Sequence, residues 1–270
     1  FKKKNIITFQ GAFHGRSLGA ISATKNHKYA NGFGPLLSGF QIVPFNDLDA
    51  LQKKVNKDTA AILIETIQGE GGVRPASLDF LKKIRRICNR NKSLLFLDEV
   101  QSGFGRSGKL FAYEWANIQP DIMAVAKGIG SGFPMGACLA TNKVSKFMNL
   151  GTHGSTFGGN PLAISIGNEV LEIIKKKKFL KKIDDISRYL WHELLRLQNK
   201  YDEIVEVRGA GLLLGIKTKS SNSKINKIFM KNKLLAICAS DNIIRFAPPL
   251  IISKKHVDEA IIKIERSLSV

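Results

Sequence analysis

The sequence predicts an α/β fold, with a large domain of mostly parallel sheet between helices (residues 1–172) and a smaller α+β domain (residues 173–270). Three observations predict it. Short apolar runs alternate with amphipathic stretches early in the chain, the pattern of strands joined by helices. Several of those runs are apolar without alternation, as strands covered on both faces are. From about residue 160 the pattern changes to two long helices, and strands mixed with helices follow.

The elements follow in order. Residues 6–9 form a short strand. Residues 60–64 are wholly apolar and form a buried strand. Residues 78–89 form an amphipathic helix with Leu81, Ile84 and Cys88 on one side and Ser77 as its N-cap. Residues 94–97 and 122–126 form two more buried strands, and 136–141 a further strand reached by a tight turn. Residues 161–176 and 180–200 form long helices, the second turning Leu190, Leu194 and Leu197 toward a core. Residues 205–216 and 243–250 read as strands and turns. Ser253 starts a last helix with Val257, Ile261, Ile264 and Leu268 on its apolar stripe.

Composition excludes several classes. Lys+Arg of 42 against Asp+Glu of 22 gives a formal charge of +20, which raises a nucleic-acid partner. The charge is scattered, however, and its one dense run, residues 175–178, lies on a helix with no interleaved aromatics to stack on bases. No nucleic-acid partner is expected. Cys88, Cys138 and Cys238 lie far apart, which argues against a metal site or a disulfide framework and fits a reducing, cytoplasmic setting. No apolar run reaches the ~18 residues of a spanning helix, so no membrane segment is expected. The chain starts without Met, in what reads as mid-strand, and is expected to be a fragment of a longer protein.

Three predicted strands end in charge: 60–64 runs into Glu65, 94–97 into Asp98 and 122–126 into Lys127. In open α/β sheets ligands bind outside the carboxyl ends of the strands. Parallel neighbours would bring these side chains to one crevice. Lys127 follows an apolar run and precedes the glycine-rich stretch Gly128-Ile-Gly-Ser-Gly-Phe-Pro-Met-Gly136. Desolvation there would lower its pKa and free the amine to attack a carbonyl. The segment Gly103-Phe-Gly-Arg-Ser-Gly-Lys109 matches most of a phosphate-binding P-loop. Residue 110 is Leu, though, so the Mg²⁺-binding hydroxyl is missing and the nucleotide reading fails.

Other residues gain meaning from this frame. Asp98 can keep a pyridine nitrogen protonated, and a lysine amine with such a carboxylate is the donor set of a pyridoxal site. Gln101 can hydrogen-bond a ring oxygen. Phe13 can stack on a planar ring, or simply pack in a core, and Arg16 can grip a carboxylate in a bidentate fork. Arg245, in an apolar Phe/Pro-rich stretch, needs a partner because an unpaired buried charge is costly. Glu70, in Gln68-Gly-Glu-Gly-Gly72, can supply it; otherwise Arg245 snorkels to water. The segment Thr152-His-Gly-Ser-Thr-Phe-Gly-Gly-Asn-Pro161 offers hydroxyls and glycines before a helix, which suits a phosphate.

Phe13-His-Gly-Arg16, Glu65-Thr-Ile-Gln-Gly-Glu-Gly-Gly72, Leu97-Asp-Glu-Val-Gln-Ser-Gly-Phe-Gly-Arg-Ser-Gly108, Ala126-Lys-Gly128 and His153-Gly-Ser-Thr-Phe-Gly-Gly-Asn-Pro161 together resemble the class III pyridoxal-phosphate aminotransferases. Val207-Arg-Gly-Ala-Gly-Leu-Leu-Leu-Gly-Ile216 and the Arg245 segment extend the resemblance to the C-terminal part. It implies a fold-type I transferase lacking its N-terminal part, pyridoxal 5'-phosphate as cofactor, and a homodimer with shared active sites. It also implies that Lys127 carries the cofactor and moves the proton, and that Asp98 faces the ring nitrogen. Gln101 then contacts the ring hydroxyl, Phe13 stacks on the ring and Thr156 reaches the phosphate of the other subunit.

For substrates it implies carboxylate contacts from Arg16 and Arg245, with Ser155 also in the substrate site and Glu70 pairing with Arg245 when a monocarboxylate end is present. Within the class the motifs lie nearest to enzymes that transaminate between the pairs glutamate/2-oxoglutarate and N-acetylornithine/N-acetylglutamate semialdehyde in arginine biosynthesis. Ornithine, succinylated amines and 4-aminobutyrate are the neighbouring substrates. Members of the class carry an upstream Ser/Gly/Thr-rich phosphate cradle that this sequence does not show, and Thr66 stands where many have proline.

Overall fold

The computed structural model describes residues 3–269. In chain order it comprises β1 (Asn5–Phe9), α1 (Leu18–Thr24), α2 (His27–Ala30), β2 (Phe40–Val43), α3 (Leu48–Lys54), β3 (Thr59–Glu65), β4 (Ile67–Gln68), β5 (Arg74–Pro75), α4 (Leu78–Asn91), β6 (Leu94–Asp98), β7 (Ile122–Ala126), β8 (Gly136–Ala140) and α5 (Asn142–Ser145). Then come α6 (Pro161–Ile174), α7 (Lys177–Lys200), β9 (Ile204–Ala210), β10 (Leu213–Thr218), α8 (Asn222–Lys231), β11 (Ile237–Ala239), β12 (Ile243–Phe246) and α9 (Lys254–Leu268).

The first sheet has the order β2-β1-β3-β6-β7-β8. Its first five strands are parallel, and β8 closes the edge antiparallel to β7. The apolar run of β3 is explained by its place between β1 and β6, where Ile62, Leu63 and Ile64 are all buried. Helix α4 covers one face. Ser77 Oγ accepts the Phe80 N–H at 3.1 Å, an N-cap that starts the helix. Leu81, Ile84 and Cys88 then meet Leu95 and Leu97 in the core.

The second sheet, β11-β12-β10-β9, is antiparallel throughout. Its core joins Leu190, Leu194 and Leu197 of α7 to Ile216, Ile244 and the Val257, Ile261 and Ile264 stripe of α9. At the head of α9 the Ser253 N–H donates to His256 Nδ1 at 3.0 Å.

Three neighbours in the first sheet, β3, β6 and β7, are parallel and in register, with Glu65 opposite Asp98 and Asp98 opposite Ala124. Their carboxyl ends therefore open at one place. The P-loop-like segment after β6 does other work. Arg106 Nη1 donates to Leu212 O at 3.1 Å and Pro248 O at 2.6 Å, tying the first sheet's loop to the second unit.

Candidate active site

At the carboxyl end of β6, Asp98 is buried with one oxygen on the Val100 N–H at 3.1 Å and the other 2.8 Å from His14 Nδ1. The opposite ring nitrogen of His14, Nε2, is also buried and has no hydrogen-bond partner among the described residues. One strand over, Glu65 accepts the Phe13 N–H at 2.8 Å on Oε1 and the Gly69 N–H at 3.1 Å on Oε2. Burial pushes its carboxyl up to about 7, with Asp98 adding to the shift and His14 and the two N–H groups opposing it.

A third buried carboxyl, Glu99, follows Asp98. It accepts from Ser102 Oγ at 2.6 Å and from the backbone N–H groups of Ala112 (3.1 Å) and Tyr113 (2.9 Å). Thr66 Oγ1 feeds this chain by donating to Ser102 Oγ at 2.8 Å. Burial again outweighs the hydrogen bonds and lifts Glu99 to about 7.

Lys127 leaves β7 at φ 48°. That is the left-handed region, uncommon for a residue with a Cβ and concentrated at functional sites. Desolvation lowers its pKa from the ordinary lysine value; Glu70 opposes that shift and Arg245 adds to it, while Asp98 and Glu65 also favour the charged form. Lys127, Gln101, Arg106, Leu213 and Arg245 line a crevice of about 230 Å³.

Across it, Arg245 is buried on β12 and donates through Nη1 to Glu70 Oε1 at 2.7 Å and Gln101 Oε1 at 3.1 Å. The arginine does not snorkel to water, and Glu70 is its partner. Glu70 is itself held in place, because its backbone oxygen accepts the Ser240 N–H at 3.1 Å.

Phe13 packs edge-on against Tyr29, with ring centroids 5.3 Å apart. The exposed Arg16 lies over Tyr29 at 4.5 Å and Phe13 at 5.6 Å, with no carboxylate partner among the described residues. Ser155 and Thr156 are exposed on the loop before α6, where Ser155 Oγ accepts the Gly158 N–H at 2.9 Å, and neither lines the crevice.

The structure thus brings Asp98, Lys127, Gln101, Glu70 and Arg245 together, places Phe13 and Arg16 beside them, and leaves Ser155 and Thr156 apart. The sequence did not single out His14, Tyr29 or Glu99. The first and last sit inside quoted motifs, next to Phe13 and Asp98; Tyr29 carried no signal.

This donor set fits the ring of pyridoxal phosphate. It offers a partly desolvated amine, a buried carboxylate fixed by an imidazole and a backbone N–H, and an amide on the crevice wall.

Comparison with known proteins agrees with the geometry. The family described as aminotransferase class-III matches residues 1–268. An acetylornithine aminotransferase from Mesorhizobium japonicum is 48% identical over 260 residues, covering 96% of this chain and 65% of that protein. One from Rhodobacter capsulatus is 48% identical over 265 residues, covering 98% of this chain and 67% of that protein. Among solved structures, ornithine aminotransferase from Toxoplasma gondii superposes with a TM-score of 0.94 at 31% identity, over 99% of this chain and 64% of that one. N-acetylornithine aminotransferase from Stenotrophomonas maltophilia gives a TM-score of 0.83 at 32% identity, over 99% and 66%. The chain therefore spans about two thirds of the length of these relatives, and it belongs to the class III aminotransferases.

Proposed function

We propose that the full protein is a pyridoxal-phosphate-dependent aminotransferase. It would exchange an amino group between glutamate and N-acetylglutamate semialdehyde, yielding 2-oxoglutarate and N-acetylornithine reversibly, in arginine biosynthesis. The observation that carries this reading is the Arg245–Glu70 ion pair, 2.7 Å long, on the wall of the crevice that holds Lys127. An enzyme that takes glutamate and an acylated diamine acid in one site needs an arginine for one and a mask over it for the other.

When bound, pyridoxal phosphate supplies an aldehyde that takes up and returns the amino group and a ring that draws electrons from the substrate carbon. Lys127 would hold the cofactor and take and return the proton on the substrate carbon, which its lowered pKa favours. Asp98 would keep the ring nitrogen protonated, and His14 orients Asp98 through the 2.8 Å contact. Gln101 would face the ring hydroxyl and Phe13 the ring plane.

Arg245 would take one carboxylate of glutamate once Glu70 swings away. Arg16 would take the other, or the α-carboxylate of acetylornithine; it has no carboxylate partner to displace among the described residues. Ser155, which does not line the crevice of the single chain, would join the substrate site across the dimer.

The reading includes a homodimer in which Thr156 serves the phosphate of the partner's site. Large apolar side chains exposed between β8 and α6 support it: Leu139, Phe147, Met148, Phe157, Leu162 and Ile164. It also includes a cytoplasmic setting; no helix among the described residues is long and apolar enough to cross a membrane. The division at 172/173 is supported by the two sheets and their separate cores, and it falls within the last turn of α6.

Free ornithine is the second reading, favoured by the close superposition on ornithine aminotransferase. Steady-state kinetics of the full-length protein on acetylated, succinylated and free ornithine, each with 2-oxoglutarate, separates the two. The highest kcat/KM is expected with the acetylated substrate. A preference for free ornithine would replace the proposal with the second reading.

A further inference from the structure

Glu65 has no role in the chemistry above, yet it is buried at the strand end beside Asp98 with both oxygens engaged. It is 3% exposed at the end of β3, and both of its oxygens are taken by backbone N–H groups from two different loops. One loop carries Phe13, His14 and Arg16. The other carries Glu70, the residue after Gly69.

The same two loops meet again beside it. Gln68 Nε2 donates to Gln10 O at 2.9 Å. A Cβ on Gly71 would run into the Gly11 carbonyl. These loops are therefore packed backbone against backbone, and Glu65 pins them from below.

The chemical type of the pin matters. A carboxylate offers an acceptor to each N–H. A glutamine of the same shape would turn its NH₂ toward one of them, donor against donor. A buried charge is costly without compensation. Here the partners are two N–H groups, with Asp98, His14 and Lys127 as the charged or titratable groups acting on it. Burial lifts the carboxyl to about 7, the direction that such a cost gives.

We propose that Glu65 is a positioning residue for substrate selection, tying the loop of Arg16 to the loop of Glu70 so that the two carboxylate-recognising parts of the site are set as one unit. This rests on the transaminase reading given above, and Glu65 touches neither cofactor nor substrate in it.

The test uses the full-length, cofactor-loaded protein and Glu65→Gln. Two readouts are taken: single-turnover kinetics with glutamate and with N-acetylornithine, and hydrogen exchange of the segments 10–16 and 67–72. Replacing one acceptor by an NH₂ that faces a backbone N–H should weaken binding of both donors by about ten-fold or more, with the maximal single-turnover rate changed far less. Exchange should quicken in both segments together while β6 and β7 stay protected. Should the glutamine variant fail to fold, Glu65→Asp keeps both acceptors but shortens their reach, and the same readouts apply.

Donor affinities within about two-fold of wild type would overturn the proposal. So would faster exchange in only one segment, or a loss of cofactor with donor affinities unmoved. Wild-type turnover reports on the function itself, and the comparison of variant with wild type reports on Glu65, so the two failures are distinguishable.

Discussion

At the scale of a single residue, the proposed chemistry rests on Lys127. Its backbone is held at φ 48° and its amine is partly desolvated, both at the point where β7 ends. Lys127→Ala should abolish transamination and leave the fold and unfolding temperature nearly unchanged. Substantial turnover by the purified variant would remove the assignment. Asp98→Asn is nearly isosteric and keeps the Val100 contact, but it loses the charge that would hold a ring nitrogen protonated. A rate loss of about 10²-fold or more with little change in stability is expected, and near-normal turnover would leave Asp98 as a strand-end charge.

Glu65 and Glu99 make a different residue-scale prediction. Both carboxyls are raised from 4.5 to about 7 in the folded chain by burial. The folded state therefore binds protons that the unfolded state has released. The stability each contributes is fully present below about pH 4.5 and is lost as pH rises through about 7. Thermal unfolding followed from pH 5 to 8 should show a midpoint that falls with pH over this window. Glu99→Gln should flatten part of the slope; an unaltered slope would contradict the burial of that charge.

At the scale of elements, the sheet was legible where strands were apolar throughout or ended in charge. The runs at 60–64, 94–97 and 122–126 became β3, β6 and β7, and the charges after them met because those strands are parallel neighbours. Less was legible in the short pieces. Strand β2 on the sheet edge, the small β4–β5 ribbon and β11 carry too few residues for a period to show, and tertiary pairing decides them. The link from β7 to β8, residues 127–135, is longer than the tight turn expected but still shorter than a parallel crossover needs, so β8 runs antiparallel.

In the site, Lys127, Asp98, Glu70 and Arg245 could be found from residue type and neighbours. Tyr29 and the hydrogen bonds of Glu65 could not, because they depend on loops meeting across the sheet. The packing of β6 gives a direct check. Leu97 is fully buried between α4 and the sheet, so Leu97→Ala should cost about 2–5 kcal/mol of unfolding free energy in a denaturant titration. A loss below about 1 kcal/mol would mean that the core re-forms around the gap.

At the scale of the whole molecule, the crevice is lined by both parts of the chain, with Gln101 and Lys127 from the first and Leu213 and Arg245 from the second. Arg245 comes from β12, Glu70 from the loop before β5 and Gln101 from the loop after β6. Arg106 and the Glu70 backbone oxygen fasten the same two parts together. The proposed dimer would cover the exposed apolar side chains that run from β8 to α6. A charge placed there, Leu139→Lys, should weaken self-association of the full-length protein in sedimentation experiments, and a monomeric wild type would rule out the shared-site arrangement.

The Glu70–Arg245 pair is where residue, loop and assembly of the two sheets come together. The proposed function needs it to open for glutamate and stay closed for the acylated diamine, and charge pairing is strong enough for that where water is scarce. The most direct test is single-turnover kinetics of Glu70→Ala in the full-length protein, with each amino donor measured separately. The glutamate half-reaction should survive or quicken, and the half-reaction of N-acetylornithine should lose specificity for its distal amine. Equal losses on the two donors would contradict the switch and leave Glu70 as a structural partner of Arg245.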